Sequence, residues 1–261
     1  KRIPAQGLHA SHRKRRRPGV ETEARRIFQT DRMRIVSGKY KGRAINPPRN
    51  LRARPTTDFA KENLFNVLGN LLDFEECDVL DLFAGTGSIS YEFASRGARS
   101  VTSVEINPVH YNFIRQTAAQ LGIGNLYAVK ANVFLYLKSC PKQFDVIFSD
   151  APYDLEGSEQ VVRLVLENDL LRPEGVLIFM VPPNLEELGN RLTKRGTEDK
   201  ETINKRLRRA LEEMELVEEY DYLVINDTVE QATEDMLTIV AAEKMKCSRN
   251  KNIKKIFKGE M

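Results

Sequence analysis

The sequence predicts an α/β protein built on a parallel sheet, and two apolar segments carry that prediction. Residues 79–91 read VLDLFAGTGSISY: a buried strand containing Asp81, a turn holding Gly85 and Gly87, then a helix. Residues 144–155 read FDVIFSDAPYDL, a second buried strand closed by an acid, a proline and an aromatic ring. In a parallel sheet both strands end at the same carboxyl edge, where α/β folds bind ligands. Glycines at the first turn let the backbone approach a ligand closely, because no Cβ stands in the way. The first segment then reads as a cofactor turn, the second as a polar and aromatic clamp for a flat substrate. At 261 residues the chain suits one large or two small domains.

From the amino terminus, residues 1–32 hold ten Lys and Arg, including RKRRR at 13–17, against three acids. They lack apolar periodicity and carry Pro, Gly and charge, so they are expected to be disordered. Residues 33–61 add eight Lys and Arg against Asp58 alone. The net charge of the whole chain is +4, so the remaining body is about −10. A basic amino-terminal arm before an acidic body is the electrostatic footprint of a polyanion partner. For residues 1–32 a leftover upstream reading frame is the competing account.

The turn Asp81-Leu-Phe-Ala-Gly85-Thr-Gly87 lacks the G-x-G-x-x-G of dinucleotide enzymes and the G-K-[ST] of a P-loop. Without a phosphate-cradling Lys or a third glycine it suits a nucleoside cofactor with no phosphate, such as S-adenosylmethionine (AdoMet). A tight turn with no ligand is the alternative. The next strand, SVTSVEIN, reaches Glu105 about twenty residues on, where a carboxylate can accept hydrogen bonds from both ribose hydroxyls. A solvated strand-end acid is the other reading. Asn132, after the strand LYAVK, falls at the third strand end, where an amide could meet an adenine edge.

Cys77, Cys140 and Cys247 form no C-x-x-C or metal spacing, and His9, His12 and His110 are scattered, so no metal site is expected. A reduced, cytoplasmic setting is the default for such cysteines. No run of eighteen apolar residues suggests a membrane span.

Residues 33–179 resemble the RsmD-like family of 16S ribosomal RNA guanine-N2 methyltransferases. The resemblance rests on MRIVSGKYKGR, LRARPTTDFAKENLFNVL, DLFAGTGSIS, VEINP and DAPY, in that order. It implies a Rossmann-like domain that binds AdoMet and methylates the exocyclic amine of one guanine in 16S ribosomal RNA, free or in a partly assembled small subunit. By this resemblance Asp81, Phe83, Gly85, Gly87 and Glu105 hold AdoMet, with Asn132 added from its strand-end position, and Asp150, Ala151, Pro152 and Tyr153 hold the target base. The segment 34–54 becomes an ordered hairpin on the RNA side, with Lys39, Lys41, Arg43, Arg52 and Arg54 as phosphate contacts.

The chemistry accounts for these residue types. An aryl amine is a poor nucleophile because its lone pair is delocalised into the ring. Asp150 and the Ala151 carbonyl can accept its two N–H bonds and favour pyramidalisation. Tyr153 can stack on the base, worth about 1–3 kcal/mol. The base must leave its stack or already be unpaired. Transfer is in-line and needs no metal, so positioning does much of the work. The family usually reads D/N-P-P-Y/F, and here Ala151 replaces the first Pro. The accepting carbonyl is main-chain and survives the change, while Pro152 still biases residue 151 to extended geometry. A looser clamp is expected.

From about Val176 the chain resembles the carboxyl-terminal part of guanylate kinases instead, through VPPNLEELGNRLTKRGTEDKETINKRLRRALEEMELVEEYDYLVINDTVEQATEDMLTIVAAEK. That resemblance implies that Arg191, Arg195 and Arg206 match phosphate-clamping lid arginines and that Asn226 lies near an adenine. The alternative is that these arginines are solvated faces of charged helices. The 261 residues contain no G-x-x-x-x-G-K-[ST], and a lid without a phosphate cradle cannot position a γ-phosphoryl group. The join falls inside GVLIFMVPP, a strand both families possess, so the chain reads as a chimera. The implied layout is a basic extension at 1–32, an RNA-facing segment at 33–61, a methyltransferase core at 62–181, kinase-like helices and a strand at 182–246, and a frayed basic tail at 247–261. LEELGNRLTKR, ETINKRLRRALEEMELVEEY and VEQATEDMLTIVAAEKM read as helices, the last capped by Asp227 or Thr228. DYLVIND reads as a last strand running parallel after a right-handed crossover. The predicted order is 3-2-1-4-5-6. Three other classes compete: a DNA amine methyltransferase sharing the D-x-P-Y clamp, a guanylate-kinase-like nucleotide binder without phosphoryl transfer, and a catalytically inactive RNA-binding protein.

Overall fold

A computed structural model describes residues 33–47, 56–152, 155–157, 160–173, 176–196, 198–247, 250 and 253–259. The expected disordered arm at 1–32, along with Arg52, Arg54 and Tyr153, lies outside the described residues. Of the hairpin expected over 34–54, residues 48–54 lie outside the described residues; within 33–45 Arg34 bridges Ala44 antiparallel, and Ile35, Gly42 and Ile45 donate backbone bonds across a hairpin. Met33, Ile35 and Ile45 are its buried anchors.

Helix α1 (Asp58–Leu71) starts where the Thr57 side chain accepts the Ala60 N–H. Strand β1 (Asp78–Leu82) is buried at every residue, as a central parallel strand covered on both faces must be. Helix α2 (Ser88–Ser95) leads to β2 (Ser100–Glu105). Helix α3 (Pro108–Leu121) is capped by Asn107, opens on a proline and ends at Gly122 in the left-handed conformation. Strand β3 (Leu126–Lys130), α4 (Val133–Ser139), β4 (Val146–Ser149) and α5 (Gln160–Glu167) complete the methyltransferase-like part. Alternate β1 residues face opposite layers. Val79 packs into a core with Phe65, Phe93 and Ile114, while Leu80 and Leu82 pack with Val133, Leu137 and Leu164.

The remaining elements are β5 (Ile178–Val181), α6 (Leu185–Arg195), α7 (Lys200–Met214), β6 (Tyr222–Ile225), α8 (Val229–Met245) and α9 (Ile253–Lys258). Thr228 is the cap of α8, accepting from Gln231 N–H. Helix α7 stops before the expected Tyr220, giving way to a 3-10 turn at Val217–Glu219. The tail, expected to fray, carries the exposed α9.

The α/β class holds, and every strand pair in the ladders is parallel. The single six-stranded order does not. The described strands form a four-stranded sheet, 3-2-1-4, and a separate pair, 5-6. Register explains the break. Phe144 bridges Leu171 in parallel, which sets Val146 of β4 level with Pro173, a residue with no N–H for a ladder, whereas β5 begins only at Ile178. Its pairing is satisfied by β6, with Phe179 stacked on Tyr220 at 4.6 Å and Asp221 accepting the Leu177 N–H. At the opposite, amino edge of the four-stranded sheet, Arg99, Ser100 and Lys142 hold the Asp78 carboxyl well below the usual carboxylate range.

Candidate active site

The ladders bring four strand ends together. Leu82 of β1 pairs with Val104 of β2 and with Ser149 of β4, so Phe83, Glu105 and Asp150 follow at one level of the carboxyl edge. Glu105 pairs with Lys130, placing Asn132 two residues beyond.

Phe83 leaves β1 at φ 56, a conformation that costs a bulky residue energy and that clusters at functional sites. Its ring meets Phe134 edge-on. The turn closes through the bond from Gly87 N–H to the Ala84 carbonyl, and Gly85 and Gly87 both take positive φ. Gly87 has a use the sequence did not suggest: a Cβ there would sit 3.0 Å from Ile114 and 3.1 Å from Tyr91, so this glycine seats the turn on α3 and α2.

Glu105 is buried, its Oε2 accepting the Gly85 N–H at 2.8 Å and its Oε1 the Asn107 N–H at 2.7 Å. Each oxygen keeps a further lone pair for a hydroxyl donor. Asp81 lies beneath the turn, 2% exposed, accepting a short bond from Ser90, whose Oγ is 2.5 Å from Ser103 Oγ. Burial pushes its pKa up to about 7; the Ser90 bonds oppose the rise, and Asp150 and Glu105 add to it. Asp150 is raised too, by surrounding protein, with Arg206 of α7 opposing. Asp150 is nevertheless exposed at the carboxyl edge of the sheet. Ala151 is half-buried and Pro152 exposed. Asn132 caps α4, its Oδ1 accepting the Leu135 N–H at 3.2 Å, which leaves its NH₂ to donate.

Sequence reasoning missed Ser88, Ser90 and Ser103, and it assigned Arg206 to a phosphate clamp without placing it near Asp150. The serines had a signal: polar residues at positions the apolar pattern assigns to the core. The Ser88 Oγ, at the first residue of α2, is buried without a partner. The influence of Arg206 on Asp150 had no signal, since it depends on how α7 docks.

Lys39, Lys41 and Arg43 are exposed on the hairpin. Of the kinase-like residues, Arg191 is occupied: it donates to the Asn226 and Asp227 carbonyls, each at 2.8 Å, and pairs with Glu187. Arg206 pairs with Glu198 at 2.6 Å. Asn226 closes β6 by donating its N–H to the Val181 carbonyl, and the Arg195 side chain lies outside the described residues.

A parallel sheet with a glycine turn and three carboxyl groups at its carboxyl edge defines a nucleoside-binding α/β protein of the methyltransferase kind. The family described as Conserved hypothetical protein 95 matches residues 33–202, and the chain belongs to it. The ribosomal RNA small subunit methyltransferase D of Buchnera aphidicola is 33% identical over 152 residues, covering 58% of this chain and 76% of that protein. The guanylate kinase of Caldanaerobacter subterraneus is 40% identical over 127 residues, covering 47% of this chain and 59% of that one. The chain thus spans under two thirds of that kinase. A hypothetical protein of Thermus thermophilus superposes on 55% of this chain and 82% of its own, with 27% identity and a TM-score of 0.48.

Proposed function

We propose that this protein transfers a methyl group from AdoMet to the exocyclic N2 amine of a guanine in 16S ribosomal RNA, free or in a partly assembled small subunit, in the cytoplasm. The observation that carries this reading is the convergence of Asp81, Glu105 and Asp150 at one edge of the sheet. Three carboxyl groups repel a polyphosphate and favour a cationic nucleoside, because like charges in partly buried sites raise each other's pKa while a cation relieves them.

The residues present fit AdoMet. Glu105 retains lone pairs for ribose hydroxyls, the buried Ser88 hydroxyl lacks a protein partner, and Gly85 takes positive φ with its N–H bonded to Glu105. When bound, AdoMet supplies a methyl group on a positively charged sulfur. The chain's own part is to hold and polarise the amine. Asp150 and the Ala151 carbonyl accept its N–H bonds, and Tyr153 stacks on the base. Asp150 is exposed, so a flat base can reach it, and its raised pKa makes it a stronger acceptor once ionised. The guanylate-kinase-like reading has no comparable support. Arg191 is committed to backbone carbonyls, and the acidic edge is a poor seat for ATP.

Radiolabelled methyl transfer into small-subunit ribosomal RNA or partly assembled subunits, with digestion to nucleosides, tests the proposal. Label is expected in N2-methylguanosine. Asp150→Ala should lower kcat and kcat/KM together by about a hundredfold, the size of a lost acceptor bond made chiefly in the transition state, with AdoMet affinity little changed. Asp150→Asn should keep part of the activity. Label in DNA adenine, or none despite AdoMet binding, would sink the reading.

A further inference from the structure

Helix α2 is buried at all eight residues, and its two ends serve different places. Its amino end is the cofactor turn, through Gly87 and the orphan Ser88. Its carboxyl half holds the basic hairpin. Glu92, 0% exposed, accepts the Val36 N–H at 2.7 Å through Oε1 and pairs with Arg96 through Oε2. Lys61, 1% exposed, reaches from α1 to within 3.3 Å of Glu92 and 3.1 Å of Asp58, and donates a short bond to the Arg34 carbonyl. One turn on, the Ser95 Oγ donates to the Ser37 carbonyl at 2.5 Å and accepts the Tyr40 N–H at 3.0 Å, while the Ser95 carbonyl accepts the Lys39 N–H at 2.7 Å. Thr86 in the turn itself donates to the Met33 sulfur.

A buried carboxylate that loses a partner is costly, so such a cluster has essentially one arrangement. The hairpin bearing Lys39, Lys41 and Arg43 is therefore clasped by charge and hydrogen bonds to a helix that runs about 10 Å, at 1.5 Å per residue, from the cofactor turn. We propose that Glu92 is a positioning residue for methyl transfer: with Lys61 and Ser95 it locks the hairpin at a fixed offset from the cofactor turn, so that RNA phosphates gripped by the hairpin present the target base at Asp150. This rests on the reading of the hairpin as the RNA-facing element.

The test measures three quantities in the full chain: affinity for a 16S ribosomal RNA fragment, affinity for demethylated AdoMet, and kcat/KM for RNA. Glu92→Gln keeps the shape but loses the charge that Lys61 and Arg96 compensate. Ser95→Ala deletes one hydroxyl and stands in should Glu92→Gln fail to fold. Each is expected to lower kcat/KM for RNA about tenfold, the size of one lost hydrogen bond to a charged or buried group, while affinity for demethylated AdoMet stays within about twofold. Amide exchange at residues 35–43 should quicken. Equal losses for cofactor and RNA would overturn the inference, since the cluster would then merely support the turn; so would an RNA kcat/KM unchanged in both variants. A third variant, Lys39→Ala with Lys41→Ala and Arg43→Ala, separates the two layers. If it weakens RNA affinity while Glu92→Gln and Ser95→Ala leave kcat/KM for RNA intact, only the positioning role falls. If it leaves RNA affinity unchanged, the RNA-facing reading of the hairpin falls, and the inference with it.

Discussion

At the residue scale the site is a contest between burial and charge, and Asp81 is where it can be measured. Its folded pKa of about 7 lies above the ordinary 3.8, chiefly because burial penalises the carboxylate. Between those values the folded protein holds a proton that the unfolded chain has released. The group's contribution to stability is thus fully present below about pH 4 and is lost as pH rises to about 7. Asp81→Asn carries no such proton, so its melting temperature should fall less than the parent's between pH 5 and pH 8. Parallel profiles would mean that Asp81 is already ionised at pH 5 in the fold. The meeting of Asp81, Glu105 and Asp150 at one sheet edge could be read from residue order alone. Glu105 closes β2, Asp150 follows β4 and Asp81 is the last residue but one of β1, and a parallel sheet has only one carboxyl edge on which to collect them. What could not be read was where side chains turn. Gly87 faces Ile114 and Tyr91, and Asn132 is bound up in a helix cap, because both depend on packing between distant segments.

At the scale of elements, boundaries with local chemical signals were legible and register was not. Helix α6 begins at the Asn184 cap and ends at Gly196 in the left-handed conformation, both visible as letters in the sequence. The gap between β4 and β5 follows from a single bridge at Phe144 and Leu171, which no local pattern announces. The hairpin offers an element-level test. Gly38 has φ 80, and a Cβ there would lie 2.0 Å from the Ser95 carbonyl oxygen, a backbone atom that cannot step aside. Gly38→Ala should therefore cost about 1–3 kcal/mol, the usual range for overpacking, beyond the strain of positive φ. Gly42 has nearly the same φ, at 78, with nothing near its Cβ position, so Gly42→Ala should cost only the left-handed penalty of about 1–2 kcal/mol. Denaturant unfolding of the two variants isolates the contact. Equal losses would show that the hairpin stands off from α2.

At the scale of the molecule, two pieces with different relatives must share one folded state without sharing one sheet. No ladder joins β4 to β5 among the described residues. The seam is made by helices instead: Val67 of α1 is buried with Val224, Ala232 and Met236, with Ile178 and Ile239 packed against them, and Lys244 reaches the Asn70 carbonyl. Helix α1 thus has two duties, since Phe65 and Lys61 on its other side serve the methyltransferase core and the hairpin cluster. A small apolar seam couples the two parts only while it stays dry. Placing a carboxylate at Val67, 4% exposed, obliges the seam to open, because an unpaired buried charge costs far more than the apolar contacts return. In calorimetry the parent should unfold in one transition. Val67→Asp should split it, with β5, β6 and α8 melting first and the core, still able to bind AdoMet, melting later. Demethylated AdoMet should then raise only the later transition, since it binds the folded core and not the released piece. A single transition that the ligand shifts whole, in the Val67→Asp protein, would mean that the carboxyl-terminal piece is tied to the cofactor edge itself, as the charge of Arg206 acting on Asp150 suggests, and not through α1.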